Sequence, residues 1–282
     1  MMRRLKQLAC CLCLVLMFIW IGLSPRVSPS LYSDRLFQPH MGLGSMKELR
    51  EYKQFENHEL YFPAPSGEML HGWIFLNPDS DKIILFHPGN AGDIPKRLPL
   101  IDLILKSGAS VFIYEPRGFG LSKGTPSIES ICEDGEAAYD YVAARGYTAE
   151  QIVLYGESLG AAVATQVSTT RAAAGIILQS GFASLERIAK ERVPMLRAYP
   201  SWMFPHPRLD NVAIMSRPHP PLLVLHGEKD VIIDISHSEE LYREAYGPKT
   251  FVRFSHSGHS DVSGGDLELF LKTVSGFLSN LP

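Results

Sequence analysis

Residues 151–165, QIVLYGESLGAAVAT, constrain the fold of this chain more than any other stretch. Ile152, Val153, Leu154 and Tyr155 form a short apolar run of β-formers, the pattern of a buried strand. Gly156-Glu157-Ser158-Leu159-Gly160 follows and fits the G-x-S-x-G elbow, a sharp strand-to-helix turn that lifts a serine hydroxyl clear of a sheet. The flanking glycines are needed because the backbone two residues before and two after the serine must come close together, leaving no room for a Cβ. Ala161, Ala162, Val163 and Ala164 then supply small residues for a helix packed tightly against the strand. A serine at such a tip needs a base, and the base needs an orienting acid.

Strand and helix signals alternate on both sides of this unit. Apolar strand-like runs stand at residues 60–62, 70–76, 82–87, 110–114, 174–179, 221–226 and 251–254. Helical patterns fall after residue 98 and over 127–145, 235–246 and 267–278. The first two strands flank Pro65-Ser66-Gly67 and read as a hairpin. The chain therefore predicts an α/β fold: a mostly parallel sheet with helices on both faces, begun by an antiparallel hairpin, over residues 59–282. Residues 182–220 are too long for a simple connection and hold six prolines with Tyr199, Trp202, Met203 and Phe204. They predict a cap or lid, with Trp202, Met203 and Phe204 facing an apolar part of the substrate.

In an open α/β sheet, reactive groups gather beyond the carboxyl ends of the strands. Asp230 lies in the loop leaving PLLVLH and is the expected acid, with Glu228 and Asp234 as neighbouring carboxylates. Asp234 suits the N-cap of the next helix. His259, in SGHSD after the last strand, is the expected base, and His256 is its rival. The oxyanion needs two backbone donors. The amide of Leu159 opens a helix, and that of Asn90 lies in the loop 88–92 after the strand ending at His87. Arg117 is expected to brace these loops or to mark a plain turn. The chemistry these residues imply needs no metal or organic cofactor.

The N-terminus has its own character. Arg3, Arg4 and Lys6 precede residues 8–23, which carry no charge and fall slightly short of the roughly 17–25 residues of a membrane span. Two readings stand for residues 1–24: an uncleaved anchor, or a signal peptide that is removed. Either way the basic flank places the body on the extracytoplasmic side, anchored in one case and secreted in the other. Cys10, Cys11 and Cys13 sit in this segment, and Cys132 alone lies in the body, so no disulfide framework or zinc spacing arises. Residues 25–58 read as a polar, largely extended connector with one helical turn near 46–52. The net charge of −3 and the absence of a basic stretch in the body argue against a nucleic-acid partner.

Taken together, His87 to Asn90, Arg117 to Ser122, Gly156 to Gly160, Gly227 to Asp230 and Gly258-His259 resemble the α/β-hydrolase superfamily. HPGNAGDIPKR and YEPRGFGLSKGTPS look like the corresponding phrases of its N-terminally anchored α/β-hydrolase-domain members, a group that includes protein depalmitoylases. Two features depart from that group: Pro88 stands between His87 and Gly89, and the cysteines fall inside the apolar segment. The resemblance implies a serine hydrolase of esters or thioesters acting on a small-molecule or lipid-like acyl substrate. A serine peptidase of the same fold and a non-catalytic binding protein are the alternatives.

Overall fold

The computed structural model describes residues 2–39, 46–90 and 93–282. Parts of the expected connector (residues 40–45) and of the loop after His87 (Ala91 and Gly92) lie outside the described residues. In order, the chain forms α1 (Met2–Gly22), α2 (Ser30–Leu36), α3 (Met46–Glu51), β1 (Glu56–Pro63), β2 (Met69–Leu76), β3 (Ile83–His87) and α4 (Leu98–Lys106). There follow β4 (Ser110–Tyr114), α5 (Ile128–Ala144), β5 (Ile152–Glu157), α6 (Leu159–Val167) and β6 (Gly175–Gln179). The chain ends with α7 (Leu185–Arg192), α8 (Asn211–Met215), β7 (Leu222–Gly227), α9 (Ser236–Glu244), β8 (Lys249–Phe254) and α10 (Asp266–Ser279).

The eight strands form one sheet in the order β1-β2-β4-β3-β5-β6-β7-β8. β2 is antiparallel to β1 and to β4, and β3 to β8 run parallel. Side-chain alternation divides the core by face. Ile83 and Leu85 enter one apolar cluster with Ile131 and Val142 of α5, Ala161 of α6 and Leu241 of α9. Ile84 and Phe86 enter the opposite cluster with Ile101 and Ile104 of α4 and Phe270 and Val274 of α10. With both faces covered, every residue of β3, β4, β5, β6 and β7 is buried, so these strands read as continuous apolar runs. The edge strands β1 and β8 are partly exposed and carry the charges of Glu56, Glu59, Lys249 and Arg253.

After β3 the chain moves to one side to form β4, then crosses to the other side of β3 for β5. The crevice beyond the carboxyl ends of β3 and β5 is therefore the topological switch point. Ser158 follows β5 there, and Pro88 and Gly89 follow β3 beside it.

Two segments differ from expectation. The connector, read as extended apart from one turn near 46–52, forms that turn as α3 and also holds α2, directly preceded by Pro29 at φ −60. Proline breaks a helix interior but suits a helix start. The insertion after β6 is also narrower than residues 182–220. An isolated bridge between Ser184 and Asp210, with the Leu185 amide on the Leu209 carbonyl, closes its base. Beyond it α8 packs on α6 and α9, within the helical layer.

The N-terminal segment packs on this insertion. Trp20 stacks on Tyr199 with ring centroids 5.1 Å apart. The Arg26 amide donates to the Met203 carbonyl at 2.9 Å, and the Tyr32 hydroxyl donates to the Leu23 carbonyl at 2.6 Å. Residues 4–22 of α1, 19 residues, form a helix long and apolar enough to cross a membrane, with none of it buried. That length and composition suit a membrane anchor or a signal sequence.

The elbow depends on its glycines. A Cβ on Gly160 would lie 2.0 Å from the His87 carbonyl oxygen, and one on Gly156 would lie 2.4 Å from the Gly160 oxygen. Gly160→Ala is expected to destabilise the chain by at least the ~1–3 kcal/mol typical of overpacking. Urea denaturation checks this, and an unchanged midpoint would mean that β3 and α6 are not in tight contact.

Candidate active site

Ser158 sits at the tip of the turn between β5 and α6 with φ 55 and ψ −116. A non-glycine residue rarely adopts a positive φ, and here the surrounding packing holds it. Its amide donates to the Gln179 carbonyl of β6 at 2.9 Å. Its hydroxyl lies 2.9 Å from Nε2 of His259, whose Nδ1 lies 2.8 Å from Oδ2 of Asp230. Three residues from the ends of three strands thus form one hydrogen-bonded line. His256, the rival base, faces away from it and meets Asp266 with its backbone amide at 2.7 Å. Asp234 accepts from the Ser236 amide at 2.9 Å, a cap-like role at the start of α9.

Asp230 is fully buried as a side chain and accepts more than one histidine. Oδ1 takes the amides of Ile232 and Ile233, each at 2.8 Å. Nε2 of His226 faces both Oδ2 of Asp230 at 3.2 Å and the Ile233 carbonyl at 2.9 Å. With two acceptors in front of it, Nε2 carries the proton, and Nδ1 of His226 accepts from the Ser238 hydroxyl at 2.7 Å. Burial opposes ionisation of Asp230. The hydrogen bonds from His226, His259 and Ile233 outweigh it and hold the carboxyl well below the usual carboxylate range. An ionised Asp230 requires the proton of neutral His259 on Nδ1, leaving Nε2 free to accept from Ser158. His226 was missed from the sequence. Its position four residues before Asp230, at the end of β7, was the available signal.

Two further buried groups frame the serine. Glu157 forms a 2.6 Å ion pair with Nε of Arg97, with both side chains at most 10% exposed. His87 bonds the Tyr114 hydroxyl at 2.9 Å, and burial pushes its imidazole down to about 3, so it is neutral. Neither pairing was expected from sequence.

The loop after β3 lies against the elbow. A Cβ on Gly89 would meet the Ser158 Cβ at 3.2 Å. Asn90 is held by the connector: its side-chain amide donates to the Leu36 carbonyl at 3.0 Å, and its carbonyl accepts from the Gln38 amide at 3.2 Å. Leu159 is the first residue of α6, so its amide has no intrahelical acceptor. Arg117 is engaged elsewhere, with Nε on Asp134 at 2.7 Å and Nη2 on Glu133 at 2.6 Å. It ties the loop after β4 to α5.

The three cap residues named from sequence separate in the structure. Trp202 is 58% exposed, and Met203 is buried in a cluster with Trp20 and Ile21 of the N-terminal segment. Neither borders the cavity of about 670 Å³ that lies between α2, the start of α5 and the insertion, whereas Phe204 does. None of Ser158, Asp230 and His259 borders that cavity either; Leu36, whose carbonyl holds Asn90, does.

A mostly parallel sheet covered by helices, with an elbow serine at its switch point, defines the α/β-hydrolase class. Comparison with known proteins gives the same answer. Residues 78–219 match the family described as serine aminopeptidase, S33. The chain is 32% identical over 216 residues to the Mycobacterium tuberculosis protein Rv2307c (strain H37Rv), covering 76% of each. It is 29% identical over 213 residues to human alpha/beta hydrolase domain-containing protein 17B, covering 74% of this chain and 72% of that one. The Pyrococcus furiosus esterase Pf2001 superposes with a TM-score of 0.69 at 18% identity, over 87% of this chain and 97% of that one. The chain belongs to the α/β-hydrolase family.

The state of Asp230 has a consequence for stability. The hydrogen bonds around it depress its folded-state pKa below the ordinary value of an aspartate. Its contribution is therefore present above the unfolded value and lost as pH falls toward the folded one. Urea midpoints measured from about pH 5 down to about pH 3 should fall more steeply for wild type than for Asp230→Asn. Parallel declines would mean that the donors around Asp230 do not hold it ionised.

Proposed function

We propose that this chain is a serine hydrolase that cleaves carboxylic ester or thioester bonds through an acyl-enzyme. The observation that carries the reading is the line Ser158–His259–Asp230, with the serine held at a positive φ. In this reading Ser158 attacks an acyl carbonyl while Nε2 of His259 takes its proton. Asp230 holds the imidazole and stabilises the imidazolium. The amides of Asn90 and Leu159 stabilise the oxyanion, aided by the N-terminus of α6. His259 then returns its proton to the leaving group, and water, activated by the same histidine, releases the acid.

Peptide-bond cleavage is the second reading, favoured by the description of the matched family as serine aminopeptidases. We further place α1 as an uncleaved anchor, with Arg4 and Lys6 on the cytoplasmic side and the catalytic domain extracytoplasmic.

The test is labelling by a fluorophosphonate probe together with turnover of short-chain p-nitrophenyl esters and aminoacyl arylamides. Wild type should label and cleave the esters. Ser158→Ala should lose both activities, and Asp230→Asn should lower ester kcat on the order of 10⁴-fold by releasing the tautomer of His259. Faster turnover of arylamides than of esters would assign the peptidase, and a folded wild type that neither labels nor turns over would sink the enzyme reading.

A further inference from the structure

The cavity lies between the connector, the start of α5 and the insertion after β6. One wall is the connector, through Pro29, Ser33 and Leu36. The facing wall is α7 and the turn beyond it, through Ile188, Ala189 and Leu196. Its volume of about 670 Å³ lies within the range of sites for small ligands, ~300–1,000 Å³. The walls are apolar, but three exposed guanidinium groups border the space. Arg26 donates from Nη1 to the Trp202 carbonyl at 3.0 Å, and Arg192 from Nη2 to the Val231 carbonyl at 3.2 Å. Arg35 is the third, and Glu129 is the one acidic residue of the lining.

The position of the cavity matters as much as its lining. Pro25 and Arg26, which border it, follow α1 by only three and four residues. Stacking of Trp20 on Tyr199 fixes the end of α1 against the insertion that forms the far wall. The cavity therefore lies where the apolar helix meets the folded body, which for a membrane-spanning helix is the depth at which lipid tails give way to headgroups. Apolar walls beside an apolar helix suit a hydrocarbon chain, and guanidinium groups on the cavity's border suit an anion.

We propose that this cavity binds one fatty acyl chain of an anionic amphiphile taken from the bilayer beside α1. The chain lies between α2 and α7, and its anionic group meets Arg26, Arg35 and Arg192. The proposal takes α1 as membrane-spanning and assumes nothing about the triad. Because Leu36 both borders the cavity and accepts from Asn90, a chain lodged there presses on the segment that holds the loop beside Ser158.

The experiment uses the full chain carrying Ser158→Ala in nanodiscs, so that binding is read without turnover. A long-chain fatty acid bearing a photoactivatable diazirine should crosslink to α2 or to residues 185–206, located by mass spectrometry. Ala189→Trp on one wall and Ser33→Trp on the other should each weaken a pyrene-labelled fatty acid by about tenfold or more, equivalent to ~1.4 kcal/mol. Arg35→Ala with Arg192→Ala should weaken the acid but not its methyl ester. With Ser158 restored, both tryptophan variants should still label with the fluorophosphonate, which separates a filled cavity from a misfolded chain. Loss of short-chain ester turnover on adding the fatty acid would support the link from the cavity through Leu36 and Asn90 to Ser158. Crosslinks confined to α1, or tryptophan variants that bind as tightly as the parent, would overturn the proposal.

Discussion

The close contact between the β5–α6 turn and the end of β3 is the constraint on which the rest of the structure depends. Gly160 lies against the His87 and Pro88 carbonyls, and Gly156 against Gly160 and Ala161. No side chain fits there, so the turn can be sharp enough to hold Ser158 at φ 55. The strain of that conformation is local, but the restraint is shared. β5 is hydrogen-bonded on both sides, to β3 and β6, and the Ser158 amide is itself tied to Gln179. A buried pair, Arg97 with Glu157, closes the space directly before the serine. Breaking such a pair by removing one partner leaves an uncompensated charge beside the reactive group, so Arg97 belongs to the rigidity of the elbow.

The other half of the site is fixed by charge. Asp230 is a buried carboxylate stabilised by two backbone amides and two imidazoles. That number of donors explains how it stays ionised while buried. It also ties the loop after β7 to the loop after β8, since His259 reaches across to it. Geometry at the serine and electrostatics at the aspartate are thus supplied by different strands, joined through one imidazole. A parallel sheet suits this division because its strand ends all open on the same edge.

Much of this was legible in the sequence because the decisive residues are bound by local rules. Gly156 and Gly160 announce a close approach, and the apolar run before them announces a buried strand. Strand order along the chain then brings Ser158, Asp230 and His259 to one edge. What escaped was set by long-range packing. His226 reads as the end of a strand, and only the fold aims it at Asp230. Pro29 reads as an extended-chain residue until its place at the start of α2 is seen. Met203 and Trp202 read as substrate contacts because aromatic and apolar residues in an insertion suggest a lid. In the structure Met203 is consumed by packing against Trp20 and Ile21, which no local pattern foretells.

That packing bears on the two readings of the N-terminus. A signal peptide is removed, so the mature fold has no use for contacts with it. Here the last turn of α1 supplies Trp20 and Ile21 to a cluster with Tyr199, Met203 and Leu196, and the following residues bond to Met203 and Trp202. Cutting the chain beyond Leu23 would leave the Tyr199 ring without its stacking partner and the Tyr32 hydroxyl without its acceptor. The same segment, continued through Leu36 and Gln38, holds Asn90 beside the serine. A helix joined in this way to the cap and to the loop of the site supports the anchor proposed above. It also links the apolar N-terminal helix, through Leu36 and Asn90, to the surroundings of Ser158.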